Sequence, residues 1–282
     1  MIYGIENGRF RLCVRETGAE LCSFCQLEKG EAYEYLWQGG EIWQGQSPLL
    51  FPIVGRLRED TYALSGKNYR LEKHGFARKL PFFPEQMGRE EMTLILRDNA
   101  LTREKYPFPF ELRAHYALRE DGFLMEFRVK NTGGTRMYFS IGAHPAFRCQ
   151  MGDRVVMDQP ENADAFRLDK DALRGQETEA VFRDSREIEI TEEIFEKDAL
   201  IFDGLASGGA TLMRRNGRHV HVDFGKAPCL GLWAKPGAAY VCIEPWYGID
   251  DRWNAGNDFT KKERILSLEP GEEFRFPVTV RV

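Results

Sequence analysis

Residues 274–282 read FRFPVTVRV, and this alternation of apolar and polar side chains is the pattern of a β-strand with one buried face. The same alternation recurs at residues 10–14, 124–129 and 219–224. Between such segments lie short stretches rich in Gly, Asn, Asp and Pro, as hairpins require: residues 131–134, 207–209, 216–217, 235–237 and 269–272. The sequence therefore predicts an all-β, mostly antiparallel sandwich.

Helical patterns are few. Residues 98–106 predict one short helix, and residues 191–195 predict another with Thr191 as its N-cap. The charge-rich residues 158–196 are interpreted as a surface insertion. Because no repeat, linker or low-complexity tract divides the chain, we expect one domain over residues 1–282.

The composition is that of an ordinary globular protein, with 282 residues, 43% hydrophobic and 29% charged, and a net charge of -5. This charge disfavours nucleic acid and anionic membranes as partners. No apolar run approaches the ~20 residues that cross a bilayer, and the first residues lack the basic and apolar regions of a signal peptide. We therefore expect a cytoplasmic protein, as a monomer or homodimer.

The six cysteines include one CxxC pair, Cys22 and Cys25, without a second pair at zinc-finger spacing. A chain of this length does not need disulfides for stability. The pattern predicts reduced, structural thiols, and a redox pair or half of a metal site is the alternative.

Two motifs carry candidate binding groups. Residues 47–57 read SPLLFPIVGRL, in which the guanidinium of Arg56 suits the hydroxyls of a sugar, although a surface arginine in an edge loop is the other interpretation. Residues 74–78 read HGFAR, in which the glycine after His74 lets the backbone approach a ligand closely. Without further context, a turn histidine is the favoured interpretation of His74.

A third motif, residues 140–147, reads SIGAHPAF. Pro145 biases His144 towards an extended backbone at the end of a strand that starts near Met137. A histidine held there is a good proton donor near neutral pH, although a structural role is an alternative.

The fourth motif, residues 240–247, reads YVCIEPWY, and Glu244 interrupts an otherwise apolar strand. Burying a carboxylate is costly, so Glu244 either pairs with a cation or faces a polar cleft in which a raised pKa is useful. Trp233 and Trp246 would offer flat apolar surfaces on which sugars stack.

Together, SPLLFPIVGRL, HGFAR, IGAHPAF and CIEPWYGIDD resemble the aldose 1-epimerase family in order and spacing, and within it the branch of bacterial lactose-operon-associated mutarotase-like proteins. The resemblance covers nearly the whole chain. It implies a galactose mutarotase-like β-supersandwich and an isomerase, independent of cofactor and metal, that interconverts the α- and β-anomers of a free aldose.

The resemblance also implies residue roles. His144 corresponds to the catalytic acid and Glu244 to the catalytic base, while Arg56 and His74 correspond to substrate-binding residues. A catalytic acid must be protonated, so we expect a nearby carboxylate, Glu244 or Asp198, to raise the pKa of His144.

The family's sugar-gripping aspartate corresponds best to Asp198, with Asp203 as rival. Gly55 and Pro145 stand where better characterised galactose mutarotases have an asparagine and an aromatic residue. The sugar preference of those enzymes therefore does not transfer to this chain.

Other functions stay open at this point. In a hexose-6-phosphate 1-epimerase, Arg78 and another cationic side chain would hold the phosphate. A non-catalytic sugar-binding domain would not need both His144 and Glu244 at one pocket. Metal-dependent hydrolysis is disfavoured because the five histidines show no HExxH pattern, and His219 and His221 are interpreted as surface or cleft-wall residues.

Overall fold

The computed structural model describes residues 1–28 and 30–282. Strands make up 53% of the chain and helices 6%, and the pairings between strands are antiparallel. The predicted all-β, mostly antiparallel fold with few short helices is therefore confirmed.

The described residues form twenty-three strands, which are β1 (Ile2–Glu6), β2 (Phe10–Arg15), β3 (Leu21–Glu28), β4 (Glu31–Glu34), β5 (Leu49–Leu50), β6 (Thr61–Leu64), β7 (Lys67–Arg70), β8 (Phe83–Met87), β9 (Glu91–Arg97), β10 (Phe110–Arg119), β11 (Gly122–Asn131), β12 (Met137–Phe139), β13 (Ile141–Ala143), β14 (Ala146–Arg148), β15 (Arg154–Leu168), β16 (Arg174–Glu189), β17 (Leu200–Asp203), β18 (Gly209–Met213), β19 (Val220–Asp223), β20 (Cys229–Trp233), β21 (Tyr240–Tyr247), β22 (Leu266–Leu268) and β23 (Glu273–Arg281).

One large sheet of fifteen strands organises the molecule. Its main path runs β5-β13-β21-β20-β17-β15-β18-β19-β23-β11-β10-β9-β8, with β14 added to β21 and β16 added to β15. The strand predicted at residues 274–282 is β23, which lies between β11 and β19 and buries Phe276, Val278 and Val280 in the core. A four-stranded sheet, β1 to β4, and the pairs β6-β7 and β12-β22 complete the architecture.

The predicted helix at residues 98–106 is confirmed as α1 (Ala100–Lys105). Asn99 caps it, because its side chain accepts a hydrogen bond from the backbone N–H of Thr102, and the Thr102 hydroxyl receives one from the N–H of Asn99. Single 3₁₀ turns lie elsewhere in the described chain, at Arg58–Asp60, Ala77–Lys79, Glu193–Phe195 and Phe259–Lys261.

The helix predicted at residues 191–195 with Thr191 as its cap is wrong. The chain makes only the 3₁₀ turn Glu193–Phe195, and Glu192 occupies the N-cap position without a side-chain hydrogen bond. The turn cannot continue because Asp198 adopts a left-handed conformation, with φ of 65°, before the chain enters β17.

The interpretation of residues 158–196 as a surface insertion is also wrong. Most of this stretch belongs to the long hairpin of β15 and β16, and β15 also pairs with β17 and β18 within the large sheet. Ala165 and Phe182 are buried between the charged positions. The exposed face of the hairpin carries so many charges that the alternation is hard to recognise from sequence.

The six cysteines carry free thiols in this structure, and Cys22 and Cys25 of the CxxC motif are buried. Burial raises the pKa of Cys22 to about 12 and also raises the pKa of Cys25. Redox chemistry needs the thiolate, so these surroundings disfavour it at this pair. Within residues 1–28 and 30–282, no helix is long and apolar enough to cross a membrane.

Candidate active site

The register of β21 brings the two candidate catalytic residues together. β13 and β14 pair with β21 in one continuous register, in which Ala146 lies opposite Cys242, and this places His144 opposite Glu244. Nε2 of His144 lies 3.2 Å from Oε2 of Glu244. The thiol of Cys242 completes a buried cluster in which one ligand-type atom of each residue lies within 4.8 Å of the others.

This pair forms part of the wall of a cavity of about 720 Å³. Other residues singled out from the sequence also line it, and they are His74, Arg78, Asp198, Trp233 and Trp246. The structure therefore brings seven of the eight candidate site residues to one cavity, and Arg56 is the exception. His219 is exposed and His221 contacts Thr211, and neither lines this cavity.

His74 is locked in one tautomer by the motif that contains Gly55. The backbone N–H of Gly55 donates to Nδ1 of His74 at 3.1 Å, and the N–H of His74 donates to the carbonyl of Gly55 at 2.7 Å. Burial lowers the pKa of His74 well below its usual value, and the charge of Lys73 acts in the same direction. His74 is therefore a neutral imidazole with its proton on Nε2, a hydrogen-bond donor beside the His144 ring, whose centroid is 6.0 Å away.

Arg56 does not reach the cavity with its side chain. Its guanidinium binds both carboxylate oxygens of Asp60, at 2.7 and 3.0 Å, and donates to the carbonyl of Asp171. Its backbone N–H instead donates to the carboxylate of Asp250 at 2.8 Å, and Asp250 does line the cavity. In this structure the motif thus contributes through its backbone rather than through the arginine side chain.

Asp198 and Asp203 have different surroundings. Asp198 lies at the cavity, where the backbone N–H of Ala199 donates to its Oδ1 at 2.7 Å and fixes its orientation. Asp203 lies outside the cavity lining and forms an ion pair with Arg264, at 2.7 Å. Of the two, Asp198 is the one in a position to meet a ligand.

Three tryptophans border the pair in different ways. Trp43 stacks on the His144 ring at a centroid distance of 5.4 Å, and Trp233 meets that ring edge to face at 5.7 Å. Both are partly exposed and present apolar surface to the cavity. Trp246 is only 3% exposed, because its ring packs against Gly142 and Gly231, so it offers the cavity little surface.

Burial dominates the electrostatics of the pair. It raises the pKa of Glu244 well above its usual value, with Asp198 and Asp250 adding to the rise and Lys73 opposing it. It lowers the pKa of His144 to about 3, helped by the positive charges of Lys73 and Arg78. The expectation that a carboxylate raises the pKa of His144 is therefore wrong, because desolvation outweighs the attraction.

Sequence reasoning missed several residues that line the cavity, among them Glu20, Trp43, Lys73 and Asp250. Lys73 directly precedes the HGFAR motif, and Asp250 lies within CIEPWYGIDD, so their positions at these motifs could have identified both residues. Glu20 and Trp43 had no comparable signal. Glu20 accepts hydrogen bonds from the N–H groups of Gln46 and Ser47, and it thereby holds the loop that follows Trp43.

Comparisons with known proteins identify the family of this chain. The family model for aldose 1-epimerase matches residues 1–281. The plasmid-encoded protein LacX of Lactococcus lactis subsp. lactis is 30% identical over 290 aligned positions, which cover 96% of this chain and 95% of LacX.

Two crystal structures extend the likeness to three dimensions. A galactose mutarotase related enzyme from Lactobacillus acidophilus is 34% identical, with a TM-score of 0.92, and the match covers 100% of this chain and 97% of that one. A galactose mutarotase-like protein from Lactobacillus casei is 26% identical, also with a TM-score of 0.92, and the match covers 100% and 99% of the two chains. The predicted galactose mutarotase-like fold is confirmed.

Proposed function

The chain belongs to the aldose 1-epimerase family, and on this premise we propose that it is a cofactor-independent isomerase that interconverts the α- and β-anomers of a free aldose. In this proposal Glu244 is the base and His144 the acid. The observation that carries the proposal is the 3.2 Å approach of His144 Nε2 and Glu244 Oε2 at the wall of one cavity.

Anomer exchange needs two proton transfers at neighbouring atoms. The base removes the proton of the anomeric hydroxyl while the acid protonates the ring oxygen, and the ring opens. The aldehyde then rotates about one bond, and the ring closes with the two roles reversed. Because both oxygens are bonded to the same carbon, an acid and a base that lie side by side can reach both, and only protons move.

One proton is distributed between Glu244 and His144, and burial affects which of the two groups holds it. The active starting form, ionised Glu244 beside protonated His144, holds the same number of protons as a neutral carboxyl beside a neutral imidazole. The pKa directions favour the neutral form, which is the state reached after ring opening. Burial therefore strengthens both His144 as a proton donor and Glu244 as a proton acceptor in the opening step.

The remaining side chains of the cavity have roles in holding the sugar. His74 donates from Nε2, Asp198 accepts from hydroxyls, and Arg78 donates from its guanidinium. Trp43 and Trp233 supply the apolar surface for the C–H face of a pyranose. A site that only binds sugar would not need His144 and Glu244 in contact, which favours catalysis over a binding domain.

Polarimetry on freshly dissolved α-glucose and α-galactose tests the proposal. We expect the approach to the equilibrium rotation to accelerate in proportion to protein concentration. Sugar binding without acceleration would contradict the proposal and favour a non-catalytic carbohydrate-binding domain. The expectations of a cytoplasmic location and of a monomer or homodimer stay predictions.

A hexose-6-phosphate 1-epimerase is a second candidate, and the positive charges of the cavity favour it. Lys73, Arg78, Lys79 and Lys235 line the cavity. Lys79 pairs with Glu72, but among the described residues no carboxylate oxygen lies within 4.0 Å of the ammonium of Lys73 or Lys235. Comparing kcat/KM for glucose and glucose 6-phosphate separates the candidates, because a phosphate site at these lysines predicts the higher value for the phosphate ester.

A further inference from the structure

Cys242 places a thiol beside the proposed catalytic pair, and anomer exchange does not use this thiol. Cys242 and Glu244 are two residues apart on β21, so their side chains leave the strand on the same face. His144 lies opposite Glu244 in the paired segments. One nitrogen, one sulfur and one oxygen atom of the three residues lie within 4.8 Å of one another, and each residue is 8% exposed or less.

From this geometry we propose that His144, Cys242 and Glu244 form a binding site for a zinc-like divalent cation, and that the bound ion blocks the catalytic pair. Imidazole, thiolate and carboxylate are the ligand types that Zn²⁺ takes in proteins, and three protein ligands leave a fourth position for water or a ligand. The inclusion of a thiolate selects zinc, cobalt or cadmium over magnesium and calcium, which prefer oxygen ligands.

The distances suit a tetrahedral ion. Zinc–nitrogen and zinc–sulfur bonds of ~2.0–2.3 Å place neighbouring ligand atoms ~3.3–3.7 Å apart. The 3.2 Å separation of His144 Nε2 and Glu244 Oε2 lies just below this range. The thiol of Cys242 must approach by no more than about 1.5 Å, given the 4.8 Å limit on the cluster and bonds of this length.

Hydrogen bonding and charge also allow an ion here. Oε2 of Glu244 is buried and makes no hydrogen bond to a residue outside the cluster among the described residues, so coordination would replace only its contact with His144. The cavity also carries both signs of charge. Its positive residues are Lys73, Arg78, Lys79 and Lys235, and its acidic residues are Glu20, Asp198, Glu244 and Asp250.

Binding would displace the protons of the thiol and of the carboxyl group to solvent, and the imidazole would bind as the neutral ring. The ion would then be bound by both Glu244, the base, and His144, the acid, so it would compete with the sugar for them. This inhibitory effect rests on the proposed function, whereas ion binding itself does not.

Cobalt(II) absorption spectroscopy tests the site independently of catalysis, because a cobalt–thiolate bond gives a charge-transfer band in the near ultraviolet. The metal-free full-length protein is titrated with Co²⁺, and Zn²⁺ is then added to displace it. The variants are Cys242→Ala and Cys242→Ser, and Cys149→Ala is the matched control because Cys149 is buried but outside the cluster. Catalysed anomer exchange is measured on the same samples with Zn²⁺ or Mg²⁺.

We expect the thiolate band in the wild type and in Cys149→Ala, and its loss in both Cys242 variants. We also expect Zn²⁺, but not Mg²⁺, to inhibit exchange, and loss of Cys242 to weaken zinc binding by at least about tenfold, since even partners outside the ligand sphere are worth that much. Absence of the band, or equal zinc binding by wild type and Cys242→Ala, would overturn the proposal. A cobalt–thiolate band in a protein that catalyses no exchange would leave the ion site standing and refute the proposed function instead.

Discussion

A Cβ atom at Gly55 would lie 2.2 Å from the carboxyl carbon of Asp250. Asp250 occupies this space because its Oδ1 accepts the backbone N–H of Arg56. Gly55 also donates its N–H to His74. The glycine therefore connects three of the stretches that carry the family resemblance, since it lets the Asp250 carboxylate of CIEPWYGIDD and the His74 imidazole of HGFAR approach the backbone of SPLLFPIVGRL.

Replacing Gly55 by alanine is expected to destabilise the fold and disturb the site. Both Gly55, at φ of 70°, and Gly66, at φ of 77°, adopt the left-handed conformation, but a Cβ at Gly66 meets nothing within 4 Å. Gly66→Ala should cost only the conformational penalty of about 1–2 kcal/mol. Gly55→Ala should cost about 1–3 kcal/mol more because of the collision. Urea denaturation of both variants measures the difference, and equal losses would contradict the packing described here.

Substitutions at Asp198 and Asp203 are expected to have different effects on KM. Asp198→Asn removes a charged acceptor from the cavity and should raise KM about 10–100-fold, the equivalent of one hydrogen bond to a charged group. Asp203→Asn removes the charged partner of Arg264, a carboxylate that also accepts from the Cys229 thiol. It should cost about 0–1 kcal/mol of stability and should leave KM unchanged. Steady-state kinetics of the two variants decides between them. If KM rose in Asp203→Asn alone, the assignment of the sugar contact to Asp198 would be wrong.

The buried carboxyl of Glu244 predicts a pH-dependent stability. Because burial raises its folded-state pKa, the folded protein holds this proton more tightly than the unfolded chain does. The associated stability is fully present below the unfolded pKa of ~4.3 and is lost as pH rises through the folded pKa. The glutamine of the Glu244→Gln variant does not titrate, so that variant lacks this contribution to the pH dependence.

The free energy of unfolding of the wild type relative to Glu244→Gln should therefore fall as pH rises from about 5 to about 8, by at most about 1.4 kcal/mol per pH unit. Urea denaturation of both proteins across this range measures the slope. A difference that is constant or increases with pH would show that the carboxyl is not buried in the manner described.

The fold was predictable because its signals are local. Alternation of apolar and polar residues is visible within a short stretch of sequence, so β2, β11 and β23 were found within one or two residues of their observed ends. The hairpin of β15 and β16 was missed because its exposed face is densely charged and its register shifts at several points.

The site was predictable only in part, because its chemistry depends on residues distant in sequence. The motifs identified His144 and Glu244, but they could not show that Lys73 and Arg78 reinforce the low pKa of His144. They could not show that the Arg56 side chain turns to Asp60 either. The position of Trp43 over the His144 ring depends on a loop that no motif marks.

The measurement that tests the central claim most directly is NMR magnetisation exchange between the anomers of an aldose at equilibrium. Wild type, Glu244→Gln and the control Glu72→Gln are compared at equal concentration. Glu72→Gln also removes a carboxylate near the cavity, but one that is exposed and pairs with Lys79. The folded state of each variant is checked by circular dichroism.

We expect Glu244→Gln to lose about 10²–10⁴-fold of the catalysed exchange rate and Glu72→Gln to retain it. Wild-type exchange rates in a folded Glu244→Gln variant would remove the carboxylate from the reaction and contradict the paired acid and base on which this account depends.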